Sequence, residues 1–468
     1  MILKNVTYLD ENFNIATTKY LTVKAGRFAE FNDTDVTDDT QATDVADATE
    51  ATDIAHSVGA KDTVDITDAT VSINDIDFTD TQAIDCSGLL IMPAFYNTHA
   101  HSPMSLMRGF GENMALDDWL NKKIWPFEAH LNSDSIYSGT LLSMVESIKN
   151  GIVSTSDMYY FTSDMVRAYA DAKVKGNISR ALVNFDQAKF EDMESVAEMK
   201  EAFEALNGIE DGRIIIEASI HGEYTSDEAT VRSLAEFAKA QNMRMHIHLS
   251  ETQKEHQECI EKRNVTPCQY FADCGLFDVP TVAAHCVWIT KDDMEILKAK
   301  NVNVSHNPQS NCKLASGIAP YHDMLEKGIN VTLGTDSVAS NNSLNFFETM
   351  KLSGLLAKVR SLDPTLVSPK DILYSATRGG AIAQGREDCG IIKTGYRADF
   401  IAIDLSSPSM NPVHDIANNL VFSADPSDIK MTVCDGEVLY SDGNFAHLDI
   451  EKIVTEAKIQ TDRILGLL

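Results

Sequence analysis

His99 and His101 lie two positions apart in Met92-Pro93-Ala94-Phe95-Tyr96-Asn97-Thr98-His99-Ala100-His101, at the end of an apolar run that begins near Leu89. The run reads as a buried strand. Side chains alternate faces along a strand, so a His-x-His pair points two imidazoles the same way, and at a strand's end the two can grip one divalent cation. Four further segments carry ionisable residues in the same context: Met245-His246-Ile247-His248-Leu249-Ser250-Glu251, Ala283-Ala284-His285-Cys286, Val304-Ser305-His306-Asn307-Pro308 and Leu333-Gly334-Thr335-Asp336-Ser337. One histidine at a strand end is ordinarily a satisfied polar residue. Five strand ends that all supply His, Glu or Asp point instead to one metal centre.

Those segments need a scaffold that turns every strand end to the same side. Apolar runs at Leu89 to Phe95, Ile152 to Ser156, Ala181 to Phe185, Ile214 to Ile220, Met243 to Leu249, Thr281 to His285, Val302 to His306 and Val331 to Thr335 alternate with helical stretches. Ser133 to Asn150, Thr225 to Gln241, Lys291 to Lys300 and Ile318 to Lys327 are examples, each long enough for a right-handed crossover. Eight such units predict an α/β chain folded as a (β/α)8 TIM barrel with its site at the C-terminal strand ends. Strand-like segments at both chain ends, Ile2 to Tyr8 and Leu21 to Phe28, then Asp399 to Asp404 and Ile429 to Tyr440, need partners, so one small β-sandwich built from both ends is expected. The expected boundaries are 1–91 for the first part of the sandwich, 92–385 for the barrel and 386–468 for the second part with a terminal helix. Within the first part, about 32–81 is rich in Asp, Thr and Ala and reads as an acidic surface insertion.

The chain has 468 residues, 44% of them apolar, which suffices for both cores. A net charge of −31 repels phosphate backbones and acidic bilayers, so neither nucleic acid nor membrane is expected as a partner. The eight cysteines form no Cys-x-x-Cys, and no leader or long apolar span is evident, so free thiols and a cytoplasmic setting are expected.

The segments His99-Ala100-His101-Ser102-Pro103-Met104, His248-Leu249-Ser250-Glu251-Thr252 and Gly334-Thr335-Asp336 resemble the amidohydrolase superfamily. Ser305 to Asn311, Gly317 to Pro320 and Ala339 to Leu344 are similar to its methylthioadenosine/S-adenosylhomocysteine deaminase and chlorohydrolase branch. The resemblance implies that His99, His101, His248 and Asp336 bind one divalent metal, Zn2+ first and Fe2+ or Mn2+ as alternatives, leaving a position for water. The fourth strand, ending Ala218-Ser219-Ile220-His221-Gly222, offers no lysine for a second ion. Metal binding lowers the pKa of water to about 7. By the same resemblance Glu251 protonates a ring nitrogen, His285 orients the water, and Asp336 passes its proton to the departing amine. His246 is expected to pack behind the ligands.

In that branch the residues matching Trp119 and Glu128, in the long first βα loop, contact a nucleoside, the indole by packing and the carboxylate by accepting from both ribose hydroxyls. His221 resembles a further sugar contact, and His306 is expected near the substrate. Asn184 stands among the substrate residues where the branch carries an arginine for the 5′ substituent, so a homocysteine carboxylate loses its bidentate partner. The expected activity is hydrolytic deamination of adenosine, 5′-deoxyadenosine or methylthioadenosine, giving an inosine-type product and ammonia. A sugar-free heterocycle (guanine, a pterin or an s-triazine) is the alternative, a non-catalytic barrel the remote one. A homo-oligomer is implied by the resemblance alone.

Overall fold

A computed structural model describes residues 1–33, 70–73, 76 and 83–468. Eight parallel strands follow in chain order around a barrel: Phe95–Ala100, Ile152–Tyr159, Lys175–Leu182, Ile214–Ile220, Met245–Leu249, Thr281–His285, Asn303–His306 and Val331–Leu333. Nearly all of their residues are buried, as expected of a parallel sheet covered by helices. The first and eighth strands are joined by side chains as much as by backbone. Asn97 Nδ2 donates to Thr335 Oγ1 at 2.8 Å, Thr98 Oγ1 to Leu333 O at 2.9 Å, and the Asp336 amide to His99 O at 2.9 Å. Gly334 permits that approach, because an added Cβ would stand 2.9 Å from His99 Cβ.

Both chain ends enter a second sheet, whose order runs Asn444–Phe445, Glu437–Ser441, Ile429–Cys434, Phe400–Asp404, Leu89–Pro93, Ile2–Leu9, Ile15–Lys24, Arg27–Asn32. Ala83–Asp85 pairs in parallel with Ile2–Leu9 and with Thr70–Val71. Hydrogen bonding is continuous through ten strands, and the two halves share a core in which Phe28 and Phe400 lie 5.9 Å apart.

Two strand expectations are corrected. The run from Leu89 to Phe95 is not one barrel strand: Leu89–Pro93 belongs to the terminal sheet, and the barrel begins only at Phe95. The third barrel strand is Lys175–Leu182 rather than Ala181 to Phe185, which leaves Asn184 beyond its end. Most of the acidic insertion about 32–81 lies outside the described residues. Among the described residues, no helix is long and apolar enough to cross a membrane.

Candidate active site

The C-terminal strand ends bring together His99, His101, His248, His285, Glu251 and Asp336. All are buried except His101, whose side chain keeps 14% of its surface exposed. Backbone carbonyls set two of the tautomers. His101 Nδ1 donates to Met158 O at 2.6 Å and His248 Nδ1 to His221 O at 2.6 Å. A carbonyl only accepts, so each Nδ1 carries the hydrogen and each Nε2 presents a lone pair inward. Those two Nε2 atoms stand 3.3 Å apart. His99 Nδ1 meets His246 Nε2 at 2.9 Å, and His99 Nε2 is buried without a hydrogen-bond partner. Asp336 Oδ1 lies 3.4 Å from His101 Nε2 and 3.6 Å from His99 Nε2.

Nitrogen lone pairs that face one another around a carboxylate are unfavourable unless a cation lies between them. The ligand atoms of His99, His101 and His248 lie within 4.8 Å of one another, as do those of His99, His285 and Asp336. Burial first, and the neighbouring imidazoles second, push the pKa of His99 and of His248 well below the ordinary histidine value. Neutral imidazole is the ligating form, so the donor set fits one divalent metal with nitrogen and oxygen ligands.

Around this cluster stand groups able to move protons. His285 Nε2 is 3.9 Å from both Glu251 Oε2 and Asp336 Oδ2, while its Nδ1 donates to Asn311 Oδ1 at 2.9 Å. Burial alone would lower the His285 pKa, but Glu251 and Asp336 raise it above the ordinary value. Burial raises that of Glu251, so this carboxyl holds its proton more readily than one in water. The turn carrying Glu251 is fixed by Glu255, which accepts from the Ser250 amide at 2.9 Å and the Glu251 amide at 2.8 Å. Backbone strain marks the same place: His285 and Asp336 sit at φ 73° and 61°, where residues with a Cβ are disfavoured.

The cluster opens into a cleft lined also by Trp119, Trp125, Glu128, Tyr159, Tyr160, Tyr224 and His221. Trp119, Glu128 and His221 are thus placed along the cleft. His221 Nδ1 is buried without a partner, and burial lowers that imidazole's pKa to about 4. Two expected substrate residues are corrected. Asn184 is spent on its own loop: its Nδ2 donates to Thr230 Oγ1 at 2.8 Å and its Oδ1 accepts from the Ala188 amide at 2.9 Å. It does not line the cleft. Nor does His306, which stacks on Tyr321 at 5.2 Å in the buried layer behind the site. His246 packs behind His99, as expected. Sequence reading missed Tyr159 and Tyr160, although they end the second strand just as the histidines end theirs.

A model of the amidohydrolase family matches residues 90–439. A 5′-deoxyadenosine deaminase of Methanosarcina acetivorans is 37% identical over 417 residues, covering 86% of this chain and 95% of the relative. A 5-methylthioadenosine/S-adenosylhomocysteine deaminase of Dictyoglomus thermophilum is 39% identical over 375 residues, covering 80% and 87%. Among solved structures, an adenosine deaminase from Xanthomonas campestris with bound zinc superposes with a TM-score of 0.85 at 24% identity over 99% of this chain and 98% of that one. This last likeness shows a shared fold.

Proposed function

Because this chain belongs to the amidohydrolase family, we propose that it is a metal-dependent hydrolytic deaminase of adenine nucleosides. One observation carries the reading: a single cleft is lined both by members of the imidazole and carboxylate cluster and by Trp119 with Glu128. His99, His101, His248 and Asp336 would hold one ion, zinc by preference for this mixture of nitrogen and oxygen donors. When bound, such an ion supplies Lewis acidity that brings the pKa of water to about 7.

The chain's own groups account for the proton transfers. Glu251, whose pKa burial raises, delivers a proton to the ring nitrogen beside the amino-bearing carbon, which makes that carbon electrophilic. Water adds to it, His285 orients the attacking oxygen, and Asp336 accepts a proton and returns it to the amino nitrogen. The C–N bond then breaks as the added hydroxyl gives up its remaining proton to Glu251, so nucleoside and water become the 6-oxo nucleoside and ammonia. The buried site keeps bulk water from competing for these transfers.

Among the described residues the cleft lining includes no arginine or lysine, which supports a neutral 5′ substituent over a homocysteine carboxylate. Adenosine, 5′-deoxyadenosine and methylthioadenosine are therefore the favoured substrates. A homo-oligomer belongs to the same reading, supported by Leu355, Val359 and Leu362, which are 44%, 64% and 89% exposed in and just after the helix Phe346–Ser361. The eight free cysteines support a reducing compartment such as the cytoplasm. The test is to supply zinc-loaded protein with these nucleosides, S-adenosylhomocysteine and guanine, and to follow ammonia and ring absorbance. Ammonia from adenine nucleosides, least from S-adenosylhomocysteine, is expected; turnover of guanine alone would overturn the assignment.

A further inference from the structure

Three consecutive residues, Met158 and Tyr159 at the end of the second barrel strand and Tyr160 just after it, contact two different parts of the cleft lining. The Met158 carbonyl accepts the His101 Nδ1 hydrogen at 2.6 Å and so aims that imidazole at the cluster. The next two side chains reach Glu128. Tyr159 donates its hydroxyl to Glu128 Oε1 at 2.6 Å, and Tyr160 donates to Glu128 Oε2 at 3.2 Å. Glu128 ends the short helix Trp125–Glu128 in a loop, where a lone carboxylate would rotate freely. With one phenol on each oxygen, its plane is set.

Tyr160 is itself anchored. The Arg180 guanidinium lies 4.6 Å over its ring, and Arg180 Nε is held by Glu198 Oε2 at 2.6 Å. A cation over the ring draws electron density from the phenol and makes its hydroxyl a stronger donor. The Tyr159 ring lies 6.3 Å from that of His101, so it spans the interval between the metal-side imidazole and Glu128.

We propose that Tyr159 and Tyr160 are positioning residues that hold Glu128 as a two-oxygen acceptor for a vicinal diol, at a distance from the reacting ring set by the strand end they share with the His101 contact. A carboxylate has about four acceptor sites, of which the tyrosines occupy two, one on each oxygen. One site on each oxygen remains, which matches the two hydroxyl donors of a ribose. Burial raises the Glu128 pKa, and the two phenols oppose this by bonding to the ionised form. A protonated Glu128 would have one oxygen turned donor and could no longer accept from both hydroxyls. The inference rests on the adenine-nucleoside reading, in which the resemblance already gives Glu128 the ribose hydroxyls, and adds the two tyrosines that position it.

The experiment compares wild type, Tyr159→Phe, Tyr160→Phe and Glu128→Gln on adenosine and 2′-deoxyadenosine. It also measures binding of inosine and 2′-deoxyinosine by calorimetry, which needs no turnover. Wild type should favour the riboside in both measurements. Each Tyr→Phe change should raise KM for adenosine about tenfold, with kcat little changed and the deoxy substrate nearly unaffected, so the preference shrinks. Glu128→Gln should abolish the preference even where a tyrosine variant folds poorly. Equal losses on riboside and deoxyriboside would overturn the proposal while leaving deamination intact. A wild type that prefers inosine in binding but deaminates no adenine nucleoside would keep the diol clamp and overturn the functional reading; one with no preference in either measurement would overturn the clamp.

Discussion

Two buried clusters of metal-ligating side chains lie at opposite ends of the barrel strands. At the C-terminal mouth His99, His101, His248 and Asp336 converge with unpaired nitrogens facing inward. At the N-terminal floor Asp399, Cys434 and Asp435 are gathered just as closely. The floor, however, contains a cation supplied by the chain. Lys175, first residue of the third barrel strand, places its Nζ 2.6 Å from Asp399, 2.8 Å from Asp435 and 3.3 Å from Cys434 Sγ. Burial alone would lower the Lys175 pKa, but Asp399, with Cys434 and Asp435, holds it above the ordinary lysine value. Tyr96 donates to the same Asp399, tying barrel and terminal sheet together. Ligand density therefore does not distinguish a metal centre from a structural ion cluster; what differs is whether an internal ammonium already balances the charge.

Substitutions should separate the two ends. His248→Ala should reduce metal content and turnover to background while shifting Tm only slightly; full metal occupancy in that variant would remove His248 from the ligand set. Glu251→Gln should retain metal but lose about 10²–10⁴ in kcat, the range for removal of a positioned proton donor, and near-normal turnover would exclude the shuttle role. At the floor, Lys175→Met should do the reverse. Leaving Asp399 buried without its cation costs about 3–5 kcal/mol, read in thermal or urea unfolding, while the metal content of folded protein stays at the wild-type value. If this variant lost metal at unchanged stability, the division between the two ends would fail.

The smallest effect concerns acid. The Asp435 side chain is 5% exposed, yet Lys175 and Arg213 hold its pKa at about 2, below the ordinary value of 3.8. A carboxylate with a depressed folded-state pKa stabilises the fold fully above its unfolded value, and that contribution is lost as pH falls from about 4 through about 2. Unfolding free energy measured across this window should drop less steeply for Asp435→Asn than for wild type.

How much of this was legible in the sequence differs along the chain. The strand-end histidines were readable because a period of two puts alternate residues on one face, and the barrel followed from the alternation of strands and helices. The break at Pro93–Ala94 was not, because both sides of it are uniformly apolar although they serve different sheets. The third strand was shifted because Lys175, Asn177, Ser179 and Arg180 make it polar. Asn177 Nδ2 bonds Glu217 at 2.7 Å, a buried partner distant in sequence that no local pattern announces. Tyr159 and Tyr160 carry no local signal of their role, because their chemistry depends on Glu128, which arrives from a loop thirty or so residues earlier. Asn184 is expected from the resemblance and His306 from its strand end, and neither signal shows that the one side chain bonds its own loop and the other stacks on Tyr321.

The most direct test of the account is to strip the protein of metal, restore zinc in steps, and measure bound ion and ammonia release from adenosine on the same samples. The account predicts that activity rises in proportion to occupancy and saturates at one ion per chain, with the Lys175 cluster taking none. Undiminished turnover in the stripped protein, or saturation without any release of ammonia, would contradict it.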